Sequence, residues 1–225
     1  VGAEGDGLED AWCYIDPSRL AERSGRVVLT TPNGFATRPE SALRIATAAS
    51  WYEDLTRLGE VWSLTQEQDW LRAEVDLGHG GPSGARCVIG APTGTEPWDG
   101  RSPERTGIGA SEEQVALIAD LLRSWGMRVT VYGGASDLVV HRGIAGRPFL
   151  EWDSSAECDL LIAHRNPFIR DYEPAARHVY VWLHDQPEAY PSAPFRDPAP
   201  NWRYLWLTRY MADLYRQQHG AAAGP

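Results

Sequence analysis

Apolar residues recur at two periods along this chain, and each change of period marks an element. Over residues 111–122, Val115, Ile118, Leu121 and Leu122 fall at helical spacing behind the acidic pair Glu112 and Glu113. Gly126 follows the last of them, where a residue tolerant of positive φ ends a helix cheaply. Short apolar runs flank this helix. Residues 86–91 (RCVIGA), bounded by Gly84 and Pro92, and the run containing Val129, Val131 and Tyr132 both read as strands. The sequence of strand, long loop, helix and strand predicts a βαβ unit. Residues 158–163, 179–183 and 204–207 read as further buried strands, and residues 210–218 as a closing helix. Between these lie residues 136–148, expected to be irregular surface loop, and residues 149–152, expected to be a short strand.

The earlier part of the chain is patterned less clearly. Asp16 and Pro17 suit the N-cap and first position of a helix that Gly25 would stop, and residues 26–31 (RVVLTT) read as a buried strand closed by Pro32, Asn33 and Gly34. A helical pattern over residues 40–58 ends at Gly59, residues 60–64 form a candidate strand, and residues 65–68 resemble a capping box for a helix through Val75. Glycine and proline punctuate residues 79–83 as a linker and residues 92–103 as a long loop. The fold class expected is α/β, a Rossmann-like parallel sheet with helices on both faces, over residues 84–225. Residues 1–83 are read as an α/β extension or the remnant of a preceding domain, and packing of that segment on the following sheet is the alternative.

Composition narrows the chemistry. With 225 residues the chain is long enough to bury a sizeable core. Its net charge of −10, with no basic cluster, argues against a nucleic-acid surface. All 21 basic residues are Arg, which excludes a Schiff-base lysine, a P-loop lysine and a lysine general base. Cys13, Cys87 and Cys158 are odd in number and widely spaced, as expected of reduced thiols rather than of a disulfide framework or a zinc site. No apolar run reaches the roughly 18 residues that a membrane span needs, and no targeting signal opens the chain, so a cytoplasmic protein is expected. A start at Val1 and an end at Pro225 lead to the expectation of a segment from a longer polypeptide.

In an open parallel sheet, ligands bind outside the carboxyl ends of the strands. The residues that fall there are His164, Arg165 and Asn166, then His184 and Asp185, then Thr208 and Arg209, beside the loop carrying Gly107 and Gly109. That loop and the positive end of the following helix dipole suit an anion, although without a third glycine the same pattern also serves as a plain helix cap. His184 could bond a sugar hydroxyl, accept a proton, or simply satisfy backbone at a strand end. Arg165 could meet a ligand or pair with Asp185 or Glu188.

Several of these residues together resemble glycosyltransferases of family 4. Glu96-Pro-Trp98, then Gly107-Ile-Gly109-Ala-Ser-Glu112, then the helix leading to Trp125-Gly-Met-Arg-Val-Thr-Val-Tyr-Gly133 are similar to that family's "GIGGSE" loop, helix and following strand. Ala110 stands where the third loop glycine is usual. The runs "DLLIAHRNP" and "VYVWLHD" are similar to the acceptor-side domain, and the resemblance covers about residues 86–220. It implies the N-terminal half of a GT-B fold and retaining hexosyl transfer from a nucleotide-diphosphate sugar to an acceptor hydroxyl. Metal and tightly bound cofactor have no part in that reaction. Gly107 and Gly109 would approach the donor diphosphate, with Arg165 and Asn166 as further donor contacts. His184 would lie in the cleft near the donor sugar, with Asp185 beside it as the other candidate catalytic residue, while Thr208 and Arg209 occupy a place where that family often has "S-x". The family's donor-binding domain, with its Glu-x7-Glu pair, has no counterpart in residues 1–225, so it is expected elsewhere in the full-length chain and this segment alone is expected to be inactive.

Residues 16–34 are similar to the late strand of class I S-adenosylmethionine-dependent methyltransferases. That likeness implies a bifunctional methyltransferase and glycosyltransferase polypeptide as an alternative. A third reading is a non-catalytic Rossmann-like module that binds a saccharide or a protein.

Overall fold

The structure is a computed structural model. It describes residues 84–220 except 93–96, 106, 192–194 and 196–198, together with residues 25–32, 36–37, 44–45, 52, 55–56, 59–67 and 70–77. The helix expected after Pro17, Cys13 and the turn at Asn33 and Gly34 lie outside the described residues.

Among the described residues the strands are β1 (Gly25–Pro32), β2 (Ala36–Thr37), β3 (Arg44–Ile45), β4 (Gly59–Glu67), β5 (Trp70–Leu77), β6 (Arg86–Gly90), β7 (Arg128–His141), β8 (Ile144–Pro148), β9 (Cys158–His164), β10 (Ala176–Leu183) and β11 (Trp202–Trp206). The helices are the single turn α1 (Ser102–Arg105), α2 (Ala110–Ser124) and α3 (Arg209–His219). Nine strands make one mixed sheet in the order β1-β5-β4-β7-β6-β9-β10-β11, with β8 paired to β7; β2 and β3 form a separate pair. The block β7-β6-β9-β10-β11 is parallel throughout, and β1, β5 and β4 join it antiparallel. The fold is therefore α/β.

The parallel strands are buried on both faces, so their residues alternate between two cores rather than between core and solvent. Val88, Leu161, Ala163, Val179, Val181 and Leu183 point to one side, where α3 lays Met211 and Tyr215 over Phe195 and Tyr204. Cys87, Ile89, Val129, Val131 and Ile162 point to the other, where α2 buries Val115, Ala119 and Leu122. Each of the Val, Leu and Ile side chains among them contributes on the order of 1.5–3 kcal/mol by leaving water. The two longer helices thus cover opposite faces. Helix α2 stops as its sequence predicts: Gly126 has φ of 84°, its N–H bonds to the Arg123 carbonyl, and the Met127 N–H reaches back to the Leu122 carbonyl. These two bonds define a Schellman ending.

Five expectations need correction. Residues 65–75 do not form a helix: β4 and β5 are an antiparallel pair, with Gly59↔Leu77 and Glu67↔Trp70 at its ends. The Thr65–Gln68 capping pattern is overruled by the alternation that follows, in which Leu71, Ala73 and Val75 are buried and Arg72 is exposed. The sheet is accordingly mixed, not parallel throughout. Within residues 40–58, Arg44–Ile45 is a strand that pairs with β2; helical residues appear at Tyr52, Leu55 and Thr56, and the remainder lies outside the described residues.

Residues 136–148 are not surface loop either. Strand β7 continues to His141, turns on Arg142 and Gly143, whose φ values are 51° and 77°, and returns as β8. Two positive-φ residues between the partners His141 and Ile144 make the tight turn whose twist suits a hairpin. Strand β8 comes to lie between the two halves of β7: Ala145 is register partner to both Thr130 and Val140, and Gly146 to both Val131 and Val139. The second half of β7 meets β4 at Leu64↔Val140, where Leu64, Ala73 and Val75 share a core with Leu138, Val140 and Ala145. Residues 149–151 form a 3-10 turn rather than a strand.

Candidate functional site

Strands β9 and β10 lie side by side in parallel register, with Trp182 opposite His164, so the residues just beyond each strand come together at the carboxyl edge. Arg165 turns sharply there, with φ of 55°, and its N–H bonds to the Trp182 carbonyl. This conformation sends its guanidinium across to the next loop. Nε donates to Asp185 Oδ2 at 2.9 Å and Nη2 to Oδ1 at 2.8 Å, a bidentate pair. The Tyr190 hydroxyl donates to Asp185 Oδ2 at 2.6 Å, and the Tyr215 hydroxyl of α3 donates to the Asp185 carbonyl at 2.9 Å. Both carboxylate oxygens of Asp185 are therefore engaged. Burial pushes the Asp185 carboxyl up, but the bonds from Arg165 and Tyr190 outweigh it and hold the group below its usual range. The bond to Asp185 in turn raises Arg165 above the ordinary guanidinium value. Asp185 is an anionic anchor in this arrangement, not a free base.

His184 precedes that anchor on the face of the sheet covered by α2. Its ring meets His164 edge-to-face with centroids 4.6 Å apart, and Trp182 at the same separation. His164 is fully buried, and neither of its ring nitrogens has a hydrogen-bond partner among the described residues; His184 Nε2 is likewise unbonded. Burial, reinforced by the neighbouring His184 and Arg165, lowers His164 to about 3. Burial and then Arg165 lower His184 as well. Both imidazoles are neutral at pH 7, and each retains a nitrogen able to accept a proton or a hydrogen bond. The sequence places His164 among the strand-end residues without a role; its burial beside His184 makes it part of the site. Its signal lay across the sheet, in its register with Trp182, and not within its own strand.

The N-terminal turn of α2 closes the arrangement. Arg165 Nη1 reaches Ser111 Oγ at 3.4 Å, which ties the β9 loop to this turn. Gly109 is the N-cap and provides no side chain to the first-turn N–H groups. Glu112, three residues on, folds back over Gly109, so that a methyl group at that glycine would collide with its carboxylate. The carboxylate also accepts from Ser111 Oγ at 2.8 Å. A carboxylate of the protein thus already sits at the positive end of the helix dipole, as in half of a capping box. Gly107 adopts φ of 71°, and its N–H bonds to the Ser102 carbonyl, which sets the loop leading into the helix.

Of the residues singled out by sequence, the structure joins Arg165 to Asp185 and brings His184 alongside them. Gly107 and Gly109 lie in the loop entering α2, whose first turn Arg165 touches through Ser111. Asn166 begins the 3-10 turn Pro167–Tyr172 through its backbone carbonyl, which accepts from Ile169, and its side chain makes no hydrogen bond with a described residue. Thr208 caps α3, its hydroxyl accepting from the Met211 N–H at 3.1 Å. Among the described residues no group of three or more His, Cys, Asp or Glu has the geometry of a metal site. No described helix is long and apolar enough to cross a membrane. No family model, curated protein or solved structure matches the chain.

Proposed function

We propose that residues 84–220 are the acceptor-side domain of a retaining glycosyltransferase that uses a nucleotide-diphosphate sugar, and that the carboxyl edge of β9 and β10 forms its half of the donor cleft. The observation that carries this reading is the unbonded Nε2 of His184, held at that edge by an Arg165–Asp185–Tyr190 network next to the first turn of α2. The order of the parallel strands, β7-β6-β9-β10-β11, supports it, since relative to one another they run 2-1-3-4-5 as in one class of nucleotide-binding doubly wound sheets, whose ligands lie over the switch between the first and third strands, here β6 and β9.

In this mechanism the neutral His184 ring bonds the transferring sugar and orients it. With Glu112 swung off the first turn of α2, that turn and the neighbouring Arg165 face the charge that develops on the departing diphosphate, and the acceptor hydroxyl attacks from the same face. Asp185 takes no proton; it fixes Arg165 and, through it, the position of the loop. The nucleoside and the far side of the diphosphate are bound by a second α/β domain, so residues 1–225 alone turn over little or no sugar nucleotide.

The test uses a longer polypeptide that includes this domain and transfers sugar. His184→Ala should lower its kcat by at least about tenfold, the size of one lost hydrogen bond made in the transition state, while circular dichroism shows the fold retained. Undiminished turnover would remove His184 from the site. Rapid turnover by residues 1–225 alone would remove the need for a second domain.

A further inference from the structure

A second concavity is walled by the segment that runs from Pro97 into α1 and by the second half of β7. It has two chambers, which share Trp98, Asp99, Ala135 and Val139. The inner chamber is small, about 40 Å³, and is bounded by Gly133 and Gly134 of β7, by Gly146 of β8 and by His141. The outer one holds about 410 Å³, within the range of small-molecule sites.

Two residues in the walls of the inner chamber each carry a buried ring nitrogen with no hydrogen-bond partner among the described residues: Trp98, 6% exposed, at Nε1, and His141 at Nε2. The indole is fixed in place. The Trp98 backbone N–H bonds to the Gly134 carbonyl at 3.1 Å, and a methyl group at Gly134 would lie 2.6 Å from the indole Nε1. A buried N–H left unbonded costs on the order of 1–3 kcal/mol, which an entering oxygen would recover.

The chemistry of the walls selects that oxygen. An indole N–H only donates, whereas a neutral imidazole nitrogen donates or accepts according to its tautomer, so a hydroxyl satisfies both. The outer chamber adds the Gln66 amide, the Ser136 hydroxyl and the Asp137 carboxylate along an apolar wall of Leu138 and Val139. Its one guanidinium, Arg101, is matched by Asp99 at 2.7 Å and leaves no free positive charge for an anion. Hydroxyl partners beside an apolar wall, without an unmatched cation, suit a neutral polyol.

We infer that this cleft binds a neutral saccharide, one hydroxyl seated between Trp98 Nε1 and His141 Nε2 and the ring lying in the outer chamber. The inference rests on the Trp98 cleft alone and stands apart from the reading of the His184 edge. Its test is a titration of the ¹⁵N-labelled protein with glucose, mannose, galactose and maltose, followed at the indole N–H resonances, with inorganic phosphate and adenosine as comparisons. At least one sugar should shift the Trp98 indole resonance saturably. By calorimetry, Trp98→Phe, which keeps the ring and removes the N–H, should weaken that sugar about fivefold to tenfold, the range of one neutral hydrogen bond. Asp137→Asn, at an exposed position, provides a second variant whose fold is not at stake and should also weaken it. Absence of a saturable shift with every sugar overturns the inference. So does a shift with phosphate or adenosine only, or sugar binding that both substitutions leave unchanged.

Discussion

An imidazole buried with neither nitrogen bonded, as at His164, makes the proton it lacks a contribution to stability. In the unfolded chain histidine titrates near about 6.5, and in the fold His164 is held to about 3. Between those values the unfolded chain binds a proton that the folded one refuses. The contribution is therefore complete above the unfolded value and is lost as pH falls towards the folded one. His184, also lowered, acts in the same direction. Asp185, whose carboxyl is lowered, withdraws its contribution only at more acid pH, below the ordinary carboxylate value of about 3.9. We predict that the urea midpoint falls between about pH 7 and pH 5, and that His164→Phe reduces that slope by up to one proton, or about 1.4 kcal/mol per pH unit at most. Equal slopes in the two proteins would mean that His164 takes up its proton inside the fold.

Among the elements, α3 offers the cleanest single contact. Its N-cap hydroxyl on Thr208 meets one of the first-turn N–H groups, so Thr208→Ala should cost about 1 kcal/mol in chemical denaturation and leave the site chemistry untouched. A cost near zero would show that water serves the helix end equally well. The parallel strands and α2 were legible in the sequence because each has one period and a glycine or proline at its bounds. The hairpin of β4 and β5 was not, since Thr65 to Gln68 has the residue types of a helix start while the period of two emerges only over Leu71, Ala73 and Val75. Strand β8 was hidden by Gly133, Gly134 and Gly143, which read as loop punctuation; in the fold Gly143 makes the turn and Gly134 admits the Trp98 indole. At the site, the Arg165–Asp185 pair was foreseeable as one of two alternatives. The pairing of His164 with His184 depends on register between strands, which no single run of sequence contains.

At the scale of the molecule, one sheet joins two styles of pairing, and β7 belongs to both. Its first half lies in the parallel block, and its second half, through Leu64↔Val140, holds the antiparallel strands. Gly84 reinforces the start of the parallel block, since a side chain there would strike the Gly126 carbonyl at the end of α2. The β8 insertion has a consequence for how the chain reaches this state. The hairpin from Val139 to Gly146 closes over a few residues, which takes microseconds, whereas β6 must find β9 across about seventy residues of chain. The shortest-range pairing thus supplies the edge that both longer-range halves need, and we predict that Ala145→Gly slows refolding more than it speeds unfolding. Substitution of Leu161 in β9 should do the reverse. Stopped-flow folding and unfolding rates of the two variants would decide whether this hairpin is the nucleus on which the rest of the sheet condenses.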